Sequence, residues 1–200
     1  MDYLTKITDL EHIYGAPSEK SLTKVAQRVT PLYQRWIEKS RFAVLTTVGP
    51  EGTDASPRGD KGPVVKIVDD KTLFLPDWRG NNRLDSLRNI LRDHRVSLMF
   101  MVPHCDNVVR VNGTAKLTAD AGVTKSFAKG MRAPLTVIVI TVQELYFQCA
   151  KAIMRSELWR SPAGQSDLPT AGDFLKEVNA EFDGQLYDKE YPDYAKSRMW

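Results

Sequence analysis

The sequence predicts a mainly β, α+β fold: an antiparallel barrel of about seven short strands, closed or half closed, with helices at both ends. Two observations carry this. From Arg41 to Val142, short runs rich in Val, Ile, Leu, Thr and Phe alternate with Gly, Pro and Asp turn signals. The connections between these runs are of hairpin length, which suits antiparallel neighbours and leaves no room for the crossovers of a doubly wound parallel sheet. A chain of 200 residues is the size of one domain. Such a chain buries roughly 70% of its unfolded surface, so its core needs no disulfide or metal. The expected organisation is a helical arm over 1–40, the barrel over 41–148 and a helical extension over 149–200, packed as one structural domain.

In order along the chain, Thr8 and Glu11 have capping-box spacing for a short helix that Gly15-Ala16-Pro17 ends. Leu22, Val25, Val29, Leu32 and Trp36 recur at three- and four-residue spacing on one helical face, and Thr30-Pro31 reads as the N-cap and N1 of a second segment. Phe42 to Val48 is a strand, Gly49-Pro50-Glu51-Gly52 a hairpin turn and Thr53 to Arg58 the return strand. Val64 to Val68 and Thr72 to Leu75 pair across Asp69-Asp70-Lys71, and Asn82 is the expected N-cap of a helix whose Leu84, Leu87 and Leu91 share a face. Val96 to Val102, Val108 to Leu117 and Leu135 to Val142 complete the strands, with a helical insert around Ala121 to Lys129. After Cys149 the pattern turns helical, passes a polar loop at Ser161 to Thr170, and ends in a Tyr-rich, charged tail.

Composition removes several function classes. The 28 Lys and Arg exceed the 25 Asp and Glu by only three, and acidic residues are interleaved throughout, so the field argues for neither nucleic acid nor an anionic membrane. No run approaches the roughly 20 apolar residues of a membrane span. With no secretory signal visible at Met1 to Lys6, the expectation is a cytoplasmic protein whose Cys105 and Cys149 stay reduced. His12, His94 and His104 are scattered, and neither metal-ligand spacing nor a GxSxG, Walker or GxGxxG motif occurs. An enzyme of this composition would borrow its chemistry from a cofactor.

Two loops have the right residues to hold one. Pro76-Asp77-Trp78-Arg79-Gly80-Asn81-Asn82-Arg83 ends a strand and opens a helix with Ser86 in its first turn, which places backbone N–H groups and guanidinium groups where an anion could sit. Ser56-Pro57-Arg58-Gly59-Asp60-Lys61-Gly62-Pro63 interrupts the β pattern: Pro57 marks an edge or bulge, Gly59 permits close approach of a flat ligand, and Arg58 could reach the same anion as Arg83. The bland alternatives are a capped helix with solvated arginines and a flexible hairpin loop.

These two segments, with Leu98-Met99-Phe100-Met101-Val102-Pro103, Arg110-Val111-Asn112-Gly113-Thr114-Ala115 and Cys149 to Trp159, give residues 20 to 160 a sequence that resembles the pyridoxamine 5′-phosphate oxidase-related, FMN-binding split-barrel family, in its uncharacterised bacterial branch. The resemblance implies a split barrel of six to seven strands, forming a homodimer with FMN at the subunit interface. It implies a phosphate held by Arg58, Asn82 and Arg83, with Asn81 and Ser86 in support. Backbone near Ser56 and Gly59 would line the ring edge, and Lys151, Arg155 and Trp159 would come from the partner chain. Trp78, Trp159 and Trp36 are candidates to wall off the ring, Trp36 being better explained as packing. Where pyridoxamine phosphate oxidases carry a Ser-Arg-Lys phosphate motif this chain reads Asn81-Asn82-Arg83, which argues against that substrate.

The function implied is an FMN-dependent oxidoreductase acting on a small molecule or a nicotinamide electron donor. The alternative is a non-catalytic carrier or sensor of flavin, or a barrel holding haem or a deazaflavin; haem would need His104 or Cys105 as axial ligand.

Overall fold

A computed structural model describes residues 1–160 and 168–199. In chain order the elements are α1 (Ile7–Tyr14), α2 (Glu19–Thr23), α3 (Pro31–Ile37), β1 (Phe42–Gly49), β2 (Gly52–Gly59), β3 (Lys66–Ile67), β4 (Thr72–Asp77), α4 (Asp85–Arg92), β5 (Arg95–Met101), β6 (Val108–Thr118), α5 (Ala121–Lys125), β7 (Thr136–Gln148), α6 (Lys151–Ser156), α7 (Ala171–Val178) and α8 (Gly184–Arg198). All seven strands form one antiparallel sheet in the order β2-β1-β5-β6-β7-β4-β3. This is the expected α+β split-barrel architecture, with the sheet left unclosed between β2 and β3.

Period-two alternation decides which face is inside. Ala43 and Leu45 of β1 lie opposite Phe100 and Leu98 of β5, and Leu98 in turn faces Val111 of β6. On the other flank Leu73 and Leu75 of β4 face Ile140 and Ile138 of β7. All of these are buried, and small Ala43 against large Phe100 lets the layer interdigitate. Each fully buried Leu, Ile or Phe contributes roughly 1.5–3 kcal/mol relative to exposure, so this layer is the main source of stability. Helix α4 covers β1 and β6 with Leu87 and Ile90. Its Asn89 donates to Thr47 Oγ1 at 3.1 Å, and a Cβ on Gly49 would lie 2.2 Å from Asn89 Oδ1, so glycine is what lets the helix sit that close. At the β6–β7 bulge between Asn112 and Gly113, a Cβ on Gly113 would meet the Thr141 carbonyl at 2.1 Å.

Several local expectations need correction. The stripe from Leu22 to Trp36 is not one helical face: α2 ends at Thr23, Ala26 exchanges backbone bonds with Leu145 of β7, and Val29 N–H donates to Asp70 O at 2.7 Å. The sheet competes successfully for those backbone groups, and Pro31 cannot continue a helix from before it. Leu22 and Leu32 are consequently exposed while Val29 and Ile37 are buried. The Thr30 N-cap and Pro31 N1 of α3 are as expected. Helix α1 starts at Ile7, before the proposed Thr8 cap, and no side chain caps it.

Only Lys66–Ile67 of the run from Val64 to Val68 is strand. Asn82 is not an N-cap either: α4 begins at Asp85, preceded by Leu84 in the left-handed region at φ 61°, and its buried face is Ser86, Leu87 and Ile90, leaving Leu84 and Leu91 exposed. Strand β7 runs six residues past Val142, to Gln148. Most of the polar loop expected at Ser161 to Thr170 lies outside the described residues; Thr170 itself forms a capping box with Asp173 at the start of α7.

Candidate functional site

The curl of the sheet brings its two flanks together without backbone pairing. Arg58 of β2 reaches Asp77 at the end of β4, its Nη1 standing 2.5 Å from Asp77 Oδ1, with both side chains less than one-fifth exposed. Ser86, in the first turn of α4, donates to Asp54 Oδ2 of β2 at 2.8 Å. These two contacts clamp the split. Between them lies a cleft of about 560 Å³, walled by β2, by the end of β4 with the loop into α4, and by Leu135 and Thr136 at the start of β7. Its size is that of a cofactor or small-ligand site.

Seven of the ten residues expected to bind a cofactor meet here: Ser56, Arg58, Gly59, Asn81, Asn82, Arg83 and Ser86. Their conditions differ. Arg83 is exposed, pairs through Nε with Asp85 Oδ2 at 2.8 Å, and its backbone N–H donates to Asn81 Oδ1. Asn82, at φ 62°, and Leu84, at φ 61°, give the loop two left-handed residues that are not glycine, the kind of strain that concentrates at ligand sites. Ser86 is buried and its hydroxyl is committed to Asp54, so its geometry is that of a clamp and not of a free phosphate donor. A Cβ on Gly59 would make only ordinary contacts, 3.7 Å from Arg41 O, so nothing in the fold demands glycine there.

Lys151 and Arg155 of α6 are exposed, and Trp159 donates its indole N–H to Cys105 O at 2.9 Å. None of the three lines the cleft of its own chain. Neither His104 nor Cys105 lines it. Trp78 does, whereas Trp36 packs against the core.

Four contributors escaped the sequence reading. Asp77 was only one loop residue among several until the fold set it against Arg58. Asp54 is likewise a strand residue whose role appears only once α4 packs. Thr136 enters because β7 places it opposite Asp77, and no local signal marks it. Lys129, from the turn after α5, forms an ion pair with Asp60 and sits 4.9 Å from the centroid of the Trp78 ring. Burial pushes the Asp60 carboxyl up, but the hydrogen bonds and charge of Lys129 and the Gly62 N–H outweigh it and hold the group below its ordinary range.

Does this cleft suit a flavin phosphate? Among the described residues, the buried Arg58 Nε and Thr136 Oγ1 of its lining find no hydrogen-bond partner. Such orphans cost about 1–3 kcal/mol each, so a cleft that carries them is better satisfied with a polar ligand than without one. The residues fit the group.

Among curated proteins, none matches the sequence significantly. Among solved structures, HupZ of Group A Streptococcus superposes with a TM-score of 0.50 at 21% identity, covering 60% of this chain and 93% of its own. An FMN-binding protein from Syntrophomonas wolfei has a TM-score of 0.45 at 11% identity, covering 72% of this chain and 97% of its own. The first likeness establishes a shared fold. The family model described as pyridoxamine 5′-phosphate oxidase matches residues 29–149, which include every strand and the whole cleft, and the chain belongs to that family.

Proposed function

We propose that the cleft binds FMN and that the protein is a flavin-dependent oxidoreductase acting on a small molecule, built as a homodimer with the flavin at the interface. The observation that carries this is the convergence of Ser56, Arg58 and Gly59 with Asn81, Asn82 and Arg83 on one cleft whose buried Arg58 Nε lacks an acceptor among the described residues, in a chain of this family. When bound, FMN would supply a ring able to take up and release a hydride.

The protein's own residues do the rest. Arg83, with Arg79 beside it, offers guanidinium donors to the phosphate from an exposed loop, and the side chains of Asn81 and Asn82 add neutral donors. Arg58 is held by Asp77 and lines the cleft. Backbone at Ser56 and Gly59 can approach a flat ring closely. Lys151, Arg155 and Trp159, absent from the cleft of their own chain, would complete it from the partner's side. A micromolar site needs about 8 kcal/mol, of which two or three charge-assisted bonds at roughly 1.5–3 kcal/mol each supply a large share.

The test is the chromophore. Purified protein, or protein reconstituted with FMN, should show flavin absorbance, and Arg58→Ala with Arg83→Ala should abolish it. A colourless protein that cannot be reconstituted, or one carrying a Soret band instead, defeats the proposal. Stopped-flow reduction by NADH or NADPH then separates an enzyme from a carrier, which would not exceed free FMN.

A further inference from the structure

The resemblance of the sequence implies that Arg58 holds a phosphate, yet the corner of the cleft around it is built for something else. Strands β4 and β7 pair Leu75 with Ile138 and Asp77 with Thr136, so Asp77 and Thr136 continue the inner face of the sheet two residues beyond its buried core, out to the cleft. Side chains opposed in this way stand roughly 4.5–5.5 Å apart at Cβ. From the other flank Arg58 reaches the same carboxylate, its Nη1 standing 2.5 Å from Asp77 Oδ1. Asp77 is therefore flanked by Arg58 on one side and Thr136 on the other. Among the described residues all three keep unused hydrogen-bonding capacity: Arg58 Nε and Thr136 Oγ1 are buried without a partner, and Asp77 accepts at Oδ1 alone. The ion pair leaves the corner without net charge, and an anion placed on Arg58 Nε would lie beside the Asp77 carboxylate. Valine would suit the strand position of Thr136 and carry no orphan hydroxyl, so the hydroxyl is best accounted for by a ligand.

We infer that this corner binds the uncharged edge of a cyclic imide, a ring with an N–H between two carbonyls, and that the phosphate lies apart from it, on the exposed loop of Arg83. The bonding patterns are complementary: Arg58 Nε–H donates to one carbonyl, Asp77 Oδ2 accepts the ring N–H, and the Thr136 hydroxyl donates to the other carbonyl. That the ring is the cofactor's rests on the proposed function, since a flavin carries such an edge; the order of donor, acceptor and donor along the corner does not. Thr136 is then a ligand-binding residue, and Arg58 serves the ring and not the phosphate.

The experiment is fluorescence titration of the parent protein, Thr136→Val, Arg58→Met and Arg83→Ala with three probes: FMN, riboflavin, which keeps the ring and lacks the phosphate, and 3-methyl-FMN, which blocks the imide N–H. The parent should bind 3-methyl-FMN at least roughly tenfold more weakly than FMN. Thr136→Val should weaken FMN and riboflavin by the same factor, about three- to tenfold, without lowering Tm, because it removes only an orphan hydroxyl. Arg58→Met should likewise weaken both ligands alike, whereas Arg83→Ala should weaken FMN and spare riboflavin. A preference for FMN over riboflavin that shrinks in Arg58→Met assigns Arg58 to the phosphate and overturns the inference. Equal binding of FMN and its 3-methyl form, or unaltered affinity in Thr136→Val, also overturns it and leaves the flavin reading standing. If the protein binds no flavin, saturation-transfer NMR with thymine and 3-methylthymine decides: transfer to thymine alone, lost in Thr136→Val, keeps the corner while the flavin reading falls, and any other pattern removes the corner as well.

Discussion

Arg58 is asked to do two things, clamp the split and hold the ligand, and substitution can separate them. Arg58→Met leaves the Asp77 carboxylate, 17% exposed, without its cation. Breaking a buried pair from one side costs about 3–5 kcal/mol, and the residual exposure here brings the expected loss to about 2 kcal/mol, or roughly 4–8 °C in Tm for a chain of this size. The double variant Arg58→Met/Asp77→Asn removes the stranded charge and should recover half or more of that stability. FMN affinity should not recover. Losing one charge-assisted bond costs about 1.5–3 kcal/mol, so both variants should bind FMN roughly 10- to 150-fold more weakly than the parent. Urea unfolding and FMN fluorescence titration on the parent and both variants give all the numbers needed. If FMN binding returns together with stability in the double variant, Arg58 is a clamp only, and its assignment to the ligand is wrong.

Other consequences follow from single distances. Asp85→Asn should tighten FMN severalfold, because it releases Arg83 from an exposed pair worth at most about 1 kcal/mol; unchanged or weaker binding counts against Arg83 as a phosphate ligand. Gly59→Ala should leave Tm within about 2 °C, since its Cβ meets nothing closer than 3.7 Å, yet lower FMN affinity if the ring lies against that backbone. Gly113→Ala should cost about 1–3 kcal/mol in urea unfolding, because a Cβ 2.1 Å from the Thr141 carbonyl forces two sheet strands apart. Asp93 is held down to about 2, first by the hydrogen bond from the Arg95 side chain. A depressed carboxyl contributes stability above its ordinary 3.8 that is lost as pH falls towards about 2. Asp93→Asn should flatten the stability profile across that window, and an unaltered slope contradicts the pairing.

The strands were legible because alternation reports directly on which face is buried, and Phe42 to Val48, for example, reads the same in sequence and in space. The helical arm was not, because Leu22, Val25 and Val29 fit a helix by spacing while Ala26 is captured by an edge of β7 that lies more than a hundred residues away. The start of α4 misled for a similar reason: Asn82 is a good cap by type, but Asn82 and Leu84 both adopt left-handed backbone and delay the helix to Asp85. At the cleft, local chemistry drew attention to the arginines and asparagines of two loops that the fold brings together. It did not identify their counter-charges, since Asp77 meets Arg58, and Asp54 meets Ser86, only through the curl of the sheet.

Those counter-charges change what the basic residues mean. The cleft is lined by three arginines, Arg58, Arg79 and Arg83, and by four aspartates, Asp54, Asp60, Asp77 and Asp85. Taken alone it is no reservoir of positive charge, so an anion must be met by exchange of partners. The two paired arginines differ in how easily they exchange. Arg83–Asp85 is exposed, with side chains 77% and 44% accessible, and such a pair is worth about 0–1 kcal/mol, so an arriving phosphate can take Arg83 at little cost. Arg58–Asp77 is enclosed, and parting it would strand two charges, so it stays intact and acts as fixed geometry. The cleft thus joins one enclosed guanidinium to a loop that carries the exposed Arg83, and under the proposed function a preference for a phosphate at the loop end would follow from the difference in burial between two otherwise similar ion pairs.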